Sequence, residues 1–179
     1  PDHSMTMKLA LILHAALFFV PLTATRAADF TSESRIYKKA GERELKLLIE
    51  KPADWKATDK RPAIVFFFGG GWVGGTPEQF KSQSEYFATR GMVGIRVEYR
   101  VIPKGDSGPP VVCCNDAKSA MRWVRSHATE LGIDPQRIAA SGGSAGGHLA
   151  SFASMVEGVD DPADDVKISP RGNALVLFN

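Results

Sequence analysis

The chain has 179 residues, of which 44% are hydrophobic and 23% are charged, and its formal net charge is +2 at pH 7. These values are typical of a globular protein with a single domain. The small net charge, without any basic cluster, excludes the charge pattern of nucleic-acid-binding proteins, so no nucleic-acid partner is expected.

Residues 1–27 have the pattern of an N-terminal leader with a secretory signal peptide. Lys8 supplies the positively charged start, residues 9–20 form an apolar run, and the small side chains of Thr25 and Ala27 suit a signal peptidase. The sequence predicts cleavage after Ala27 and a secreted or periplasmic protein, with no stable membrane insertion after cleavage. An uncleaved anchor is the alternative, although the run is shorter than the roughly 20 residues that a spanning helix needs.

Residues 28–179 are then expected to form one domain. Its two cysteines, Cys113 and Cys114, are adjacent, and neighbouring residues rarely meet the geometry of a disulfide. Neither cysteine has partners at metal-ligand spacing, so no metal site and no cofactor are predicted.

The first elements of this domain are predicted to be strands. Residues 34–39 and 43–51 flank a turn, and the alternation of polar and apolar side chains predicts an antiparallel hairpin at a sheet edge. After a polar loop, residues 63–68 form an unbroken apolar run, which is typical of a strand buried on both faces.

A glycine-rich loop and a helix follow this buried strand. Residues 69–72 are Gly-Gly-Gly-Trp. The helix is predicted to begin after Thr76 as its N-cap, with Gln79 placed for a capping box, and to end near Arg90.

The rest of the domain alternates strands with helices. Strands are predicted at residues 92–97, 137–141 and 174–178, and the last two are separated by a helix and by an acidic loop of solvent-facing charge at 160–165. Between the first two lies an amphipathic helix. Its apolar face comprises Ala117, Ala120, Met121, Val124, Ala128 and Leu131, and its charged face comprises Lys118, Arg122, Arg125 and Glu130. This alternation predicts an α/β fold with a mainly parallel sheet and right-handed crossovers.

The stretch from Gly142 to Gly147 joins a predicted strand to a predicted helix and places Ser144 at the turn. A glycine-flanked serine between strand and helix is the context of a nucleophile elbow, in which the hydroxyl projects from the sheet. The N–H groups that follow lie at a helix N-terminus, where developing negative charge is favoured. A glycine-rich turn with a passive serine is the alternative.

The glycines at 69–71 lie just past a central strand, at the end where α/β sheets place their ligands. Glycine lets the backbone approach a ligand closely and turn its N–H groups inward. Together with the elbow two strands later, this loop is predicted to complete an oxyanion hole. A flexible turn is the alternative.

Five spaced motifs occur in order along the chain. They are residues 68–72 (FGGGW), 98–100 (EYR), 116–124 (DAKSAMRWV), 132–138 (GIDPQRI) and 142–149 (GGSAGGHL). With them the chain from about Arg61 to Asn179 resembles the α/β-hydrolases, specifically the hormone-sensitive-lipase-like esterases. It also resembles the related exported esterases of plant-polysaccharide breakdown, such as acetyl xylan and feruloyl esterases.

The resemblance implies an α/β-hydrolase fold, a mostly parallel doubly wound sheet, and a set of site residues. Ser144 would be the nucleophile, and the backbone N–H groups of Gly70, Gly71 and Ala145 would form the oxyanion hole. Trp72 would belong to the substrate pocket, either walling the acyl site or packing beneath the loop.

The chain departs from the family pattern in two places. Phe68 stands where the family commonly has histidine, so a histidine side chain is not available to support the loop. The oxyanion donors are backbone N–H groups, and they can survive this change. In this fold the triad acid and histidine follow the serine, after later strands. The resemblance therefore implies that residues 28–179 are an incomplete domain, truncated after about the sixth strand and lacking both triad partners.

No other residue is expected to replace the missing base. His127 is near the C-terminal part of the amphipathic helix, where a cation suits the helix dipole. His148 is one helical turn beyond Ser144, which predicts a structural role behind the nucleophile. Asp116 is expected either to pair with Arg100 or to cap its own helix.

The sequence therefore predicts the N-terminal part of an exported serine carboxylic-ester hydrolase that is acylated on Ser144. Its substrate would be a small-molecule or polysaccharide ester, with acetyl and feruloyl groups suggested by the resemblance. The chain by itself is expected to be a poor esterase. A serine peptidase of the prolyl-oligopeptidase type and a non-catalytic pseudo-hydrolase or binding module are the alternatives, and the oligomeric state is not indicated.

Overall fold

The computed structural model describes residues 29–106 and 108–178, so the predicted signal peptide and its cleavage site lie outside the described residues. The strands are β1 (Phe30–Ala40), β2 (Arg43–Pro52), β3 (Arg61–Phe67), β4 (Val93–Val97), β5 (Ile133–Gly143) and β6 (Ala174–Phe178). The helices are α1 (Lys81–Thr89), α2 (Val111–Ser126) and α3 (Ala145–Met155), with a 3₁₀ turn at Pro77–Phe80. None of the helices in this part of the chain is long and apolar enough to span a bilayer.

The strands form one six-stranded sheet in the order β1-β2-β4-β3-β5-β6. β1 pairs with β2 and β2 with β4 in antiparallel fashion, and the other neighbours are parallel. The predicted edge hairpin and the mainly parallel remainder are confirmed. Because Phe67 at the end of β3 is paired with Gly142 near the end of β5, the loops that leave these two strands lie side by side.

Both faces of β3 are covered, which explains its unbroken apolar sequence. Val65 and Phe67 belong to the main core with residues of α2 and α3, whereas Ile64 and Phe66 pack with Phe80 in a smaller cluster. The rings of Phe66 and Phe80 stack with their centroids 5.1 Å apart. The 3₁₀ turn that follows the glycine loop is thereby held against the sheet.

The helix predicted after Thr76 is divided into the 3₁₀ turn and α1. The predicted capping box is wrong, because Thr76 makes no side-chain cap hydrogen bond. The carboxamide oxygen of Gln79 instead accepts a hydrogen bond from the backbone N–H of Gly69. The predicted end of the helix is confirmed by Gly91, whose φ of 87° is one that glycine adopts readily.

The charged face of α2 is covered rather than solvated. Lys118 and Arg122 are only 1% and 6% exposed. Arg122 donates hydrogen bonds of 2.6 Å to Asp160 and 2.8 Å to Asp164, and Lys118 pairs with Asp160 at 3.2 Å. The prediction that residues 160–165 carry solvent-facing charge is therefore wrong for Asp160 and Asp164, whose carboxylates attach the connection between α3 and β6 to α2, whereas Asp165 is exposed.

β6 lies at the edge of the sheet and, among the described strands, pairs with β5 alone. Its large apolar side chains are well exposed, from 37% for Leu175 to 47% for Leu177. The strand predicted at residues 174–178 is confirmed.

Candidate active site

Ser144 occupies the turn between β5 and α3. Its φ of 50° and ψ of −118° are rare for a residue with a Cβ atom. Its side chain is exposed and makes no cap hydrogen bond to α3. A serine at the start of a helix ordinarily caps that helix, so the uncommitted hydroxyl favours a nucleophile over a passive turn serine.

Glycines let the start of α3 pack closely on the sheet. A Cβ atom on Gly146 would overlap the carbonyl oxygens of Phe67 and Phe68, and one on Gly142 would overlap the backbone of Gly146. The first N–H groups of a helix have no partner within it. The close packing therefore brings a set of free donors to the end of β3, next to Ser144.

The glycine loop lies directly against the elbow. A Cβ atom on Gly69 would be 2.8 Å from the carbonyl oxygen of Gly143 and 3.5 Å from the Cβ atom of Ser144. Gly70 and Gly71 follow with φ values of 127° and 61°, which residues with side chains rarely adopt. The two halves of the predicted oxyanion hole are thus in contact through their backbones.

The backbone N–H groups of Gly70, Gly71 and Ala145 have no hydrogen-bond partner among the described residues. Free donors on two touching loops are what stabilisation of a developing oxyanion requires. The N-terminus of α3 adds a partial positive charge of roughly half a unit. The role of these three residues as oxyanion donors stays a prediction, with this geometry in its favour.

Tyr99 contacts Phe68, the residue at the position where the resemblance led us to expect histidine. The ring of Phe68 stacks on Tyr99 with centroids 4.0 Å apart, and the Tyr99 hydroxyl donates a 2.6 Å hydrogen bond to the carbonyl oxygen of Phe68. Burial raises the pKa of Tyr99 well above its usual value, so its hydroxyl stays protonated and able to donate. The motif Glu98-Tyr99-Arg100 carries no local signal for this role of Tyr99.

Trp72 packs between the loop and the core and adopts a φ of 64°. Its carbonyl oxygen accepts a 2.9 Å hydrogen bond from the N–H of Ile102, and its buried indole nitrogen has no partner in the described part of the chain. It does not line the cavity beside Ser144. Its position fits packing beneath the loop, and its role in the substrate pocket stays a prediction.

A cavity of about 320 Å³ opens beside Ser144. It is lined by Gln79, Phe80, Gln83, Gly143, Ser144 and Phe178. The rings of Phe80 and Phe178 lie 5.7 Å apart and give it an apolar wall. The sequence gives no local signal for this wall, because its residues come from elements far apart in the chain that only the sheet order brings together.

The two histidines in the described part of the chain make their ring contacts away from Ser144. His148 is exposed on α3, and its ring meets Trp72 edge-on at 5.3 Å. The ring of His127 stacks on Trp123 at 3.9 Å. These contacts fit the structural roles expected of both, and neither places a general base against the serine hydroxyl.

Asp116 lies within α2, so it is not an N-cap, and the alternative pairing is confirmed. Its buried carboxylate accepts hydrogen bonds of 2.7 and 2.8 Å from the guanidinium of Arg100 and pairs with Lys38 at 2.8 Å. This network ties the segment after β4 to α2 and to β1. It lines a separate cavity of about 400 Å³ that does not include Ser144.

The two cysteines are buried and free. Burial raises the pKa of Cys114 to about 11, so its thiol stays protonated at neutral pH and unreactive. No group of three or more histidine, cysteine or acidic side chains in residues 29–106 and 108–178 is arranged to hold a metal ion.

Comparisons with known proteins show what the chain is similar to in sequence and in fold. The BD-FAE family model matches residues 49–173. Esterase 2 of Thermogutta terrifontis, solved after phosphorylation by paraoxon, is 55% identical with a TM-score of 0.79, over 83% of this chain and 56% of that one. The propionate-bound form of that esterase is 56% identical with a TM-score of 0.78, over 83% of this chain and 54% of that one.

Two relatives from Mycobacterium tuberculosis are similar in sequence. The probable carboxylic ester hydrolase LipM and the carboxylesterase NlhH are each 34% identical, over 103 and 106 residues that make up 57% and 58% of this chain. These matches cover 23% of LipM and 32% of NlhH. The chain thus matches about half the length of the solved esterase and a third or less of these relatives.

Proposed function

The chain belongs to the BD-FAE family of hormone-sensitive-lipase-like α/β-hydrolases, and we propose that the full-length protein containing it is a serine carboxylic-ester hydrolase. The observation that carries the proposal is the exposed Ser144 hydroxyl, which is not used to cap α3 and lies against the glycine loop. A binding module has no need for a strained serine at this position, because backbone strain is kept where function requires it. The named relatives, all ester hydrolases, favour an esterase over a peptidase.

In the proposed reaction the Ser144 oxygen attacks the ester carbonyl carbon, and the carbonyl oxygen becomes an oxyanion. The N–H groups of Gly70, Gly71 and Ala145 stabilise that charge, and loss of one such donor typically lowers kcat by roughly 10²–10³. The carbon–oxygen bond to the alcohol breaks, the alcohol leaves with a proton, and water then hydrolyses the acyl-serine. The general base that takes the Ser144 proton is, in this proposal, supplied by another part of the full-length protein.

The substrate class in this proposal is a carboxylic ester with a short acyl group. The apolar cavity of about 320 Å³ beside Ser144 suits an alkyl chain, and the esterase from Thermogutta terrifontis has been solved with propionate and with butyrate bound. Acetyl and feruloyl esters of plant polysaccharides are the finer proposal, and the family resemblance supports it. Relative kcat/KM values for p-nitrophenyl acetate, butyrate and octanoate and for methyl ferulate rank these classes.

The test is the Ser144→Ala variant of the full-length protein, assayed on p-nitrophenyl acetate. We expect kcat to fall by several orders of magnitude, because the attacking oxygen is removed. Ser151→Ala is the matched control, since this serine lies further along α3 and is expected to leave turnover unchanged. Equal turnover by wild type and Ser144→Ala would refute the proposal.

Covalent labelling with paraoxon tests the nucleophile without turnover. The Ser144 oxygen would bond to phosphorus while the bond to 4-nitrophenolate breaks, leaving a diethylphosphoryl group that peptide mass spectrometry locates. An adduct on Ser144 supports the esterase, and an adduct elsewhere contradicts the assignment. A folded full-length protein with neither hydrolysis nor adduct would favour the pseudo-hydrolase or binding module.

Export is the second part of the proposal. The signal pattern of residues 1–27 supports it, and cleavage is expected after Ala27. N-terminal sequencing of protein recovered outside the cytoplasm should begin at Ala28. A mature protein that begins at Met5 or Met7 would contradict it.

A further inference from the structure

The peptide group that joins Phe68 to Gly69 is held at both of its polar ends. Its carbonyl oxygen accepts the hydrogen bond from the Tyr99 hydroxyl at 2.6 Å. Its N–H donates to the carboxamide oxygen of Gln79 at 2.5 Å. A peptide group is planar, so two partners on its opposite ends fix the orientation of the whole plane.

This peptide immediately precedes the predicted oxyanion donors. Gly69 is buried, and its backbone lies close to Gly143 and Ser144. Gly70 and Gly71 are exposed and have positive φ values, and a glycine can leave such a conformation for many others. Glycine is the most conformationally free residue. The orientation of the free N–H groups therefore depends on how firmly the preceding peptide is held.

From these contacts we infer that Gln79 is a positioning residue that holds the glycine loop in the geometry that oxyanion stabilisation requires. The inference rests on the proposed esterase function and deepens it. Gln79 lies in the 3₁₀ turn after the loop, and its side chain also lines the cavity beside Ser144. It acts through the Gly69 N–H rather than by touching the reacting atoms.

The buried N–H of Gly69 has no other acceptor within the described residues. Removal of the Gln79 carboxamide leaves this donor unsatisfied, and a buried unpaired N–H is unfavourable enough to change the local backbone. The loop would then rotate to find another acceptor. A misplacement of the order of 1 Å at a reacting centre can lower the rate by roughly 10²-fold.

The test compares three variants of the full-length protein. Gln79→Leu removes the acceptor at similar size, Gln79→Glu keeps an acceptor oxygen, and Gln136→Leu is the matched control. Gln136 is exposed in the first half of β5 and does not line the cavity beside Ser144. Gln79 and Gln136 are both exposed, and thermal melting verifies that each variant is folded.

Two readouts are measured for each variant. Amide hydrogen exchange at Gly69 should be roughly tenfold faster in Gln79→Leu, near wild type in Gln79→Glu, and unchanged in Gln136→Leu. In the esterase assay Gln79→Leu should lower kcat roughly 10- to 100-fold with little change in KM, because the lost interaction acts in the transition state. Gln136→Leu should retain wild-type kcat.

Wild-type exchange at Gly69 in Gln79→Leu would show that the bond does not hold the loop and would overturn the inference. Faster exchange with unchanged kcat, or equal kcat losses in Gln79→Leu and Gln136→Leu, would overturn the positioning role. The Ser144→Ala variant separates this inference from the proposed function. If Ser144→Ala retains activity, the proposed function fails and with it the positioning role, whatever the exchange at Gly69 shows.

Discussion

The hydroxyl of Tyr99 donates a hydrogen bond of 2.6 Å to the carbonyl oxygen of Phe68, and the two rings stack 4.0 Å apart. The pair connects the end of β4 with the first residue of the glycine loop. Phe68 stands at the sequence position where the resemblance led us to expect a histidine. An aromatic pair can thus support the loop from beneath without a titrating group.

Tyr99→Phe should destabilise the protein by about 1–2 kcal/mol, because the buried carbonyl oxygen of Phe68 loses its donor while the ring stack remains. Chemical denaturation measures the change in the free energy of unfolding. Tyr86→Phe is the matched control, since Tyr86 is 54% exposed and its hydroxyl is free to bond to water. Equal losses in the two variants would show that the bond to Phe68 contributes nothing specific.

Ser144 stores backbone strain that glycine would relieve. Ser144→Gly should be more stable than Ser144→Ala by about 1 kcal/mol, because a φ of 50° is unfavourable for any residue with a Cβ atom. Thermal denaturation of the two variants measures the difference. Ser151, inside α3, is the control position. There the glycine variant should be less stable than the alanine variant by roughly 1 kcal/mol, because glycine is unfavourable within a helix. If the glycine variant were less stable than the alanine variant at both positions, backbone strain at Ser144 would be contradicted.

The elements that the sequence predicted best are those with a local signal. The unbroken apolar run of β3 predicted a central strand, and the glycines around Ser144 predicted a turn between strand and helix, because each pattern depends on neighbours in the chain. The apolar face of α2 was likewise found from its periodicity. The alternation of strands and helices predicted a mainly parallel sheet, but it did not predict the order of the strands.

The errors arose where a distant segment decides the environment. The local sequence places Gln79 correctly for a capping box, but its carboxamide oxygen instead accepts a hydrogen bond from the buried N–H of Gly69. Arg122 lies opposite the apolar face of α2, which predicts exposure, yet the segment at 160–168 covers it. Periodicity states which face of a helix is polar, but it does not state whether a later loop of opposite charge lies over that face.

Arg122 should therefore be a stability determinant. Its guanidinium donates to Asp160, to Asp164 and to the carbonyl oxygen of Ile168, and it is nearly buried. Arg122→Met should cost about 2–3 kcal/mol, because within the described part of the chain Asp160 then keeps only Lys118 as a partner and Asp164 keeps only the Ser119 hydroxyl. Urea denaturation measures this loss. Arg137→Met, at an exposed position on β5, should stay within about 0.5 kcal/mol of wild type.

Limited proteolysis gives a second measurement of the same contact. In Arg122→Met the connection between α3 and β6 should be cut faster than in the wild type, since its attachment to α2 is lost. Unchanged cleavage together with an unchanged free energy of unfolding would show that the ion pairs do not hold this segment.

The ionisation of the Asp161 carboxyl should make the stability of the protein depend on pH. A side-chain hydrogen bond from Lys38 and a backbone hydrogen bond from Ala163 hold the pKa of the Asp161 carboxyl below its usual value. Because this carboxyl has a lower pKa in the folded state, its ionised form stabilises the fold. The stabilisation is fully present above the unfolded pKa of about 3.9 and is lost as pH falls through the folded pKa.

Asp161→Asn should therefore be less stable than wild type at pH 7, and the difference should shrink in acid, below about pH 4. Asp165→Asn is the control, since among the described residues the Asp165 carboxylate accepts a hydrogen bond only from the backbone N–H of Lys167. Urea midpoints measured from pH 7 down to pH 3 test the prediction, and a difference between Asp161→Asn and wild type that stays constant over this range would contradict it.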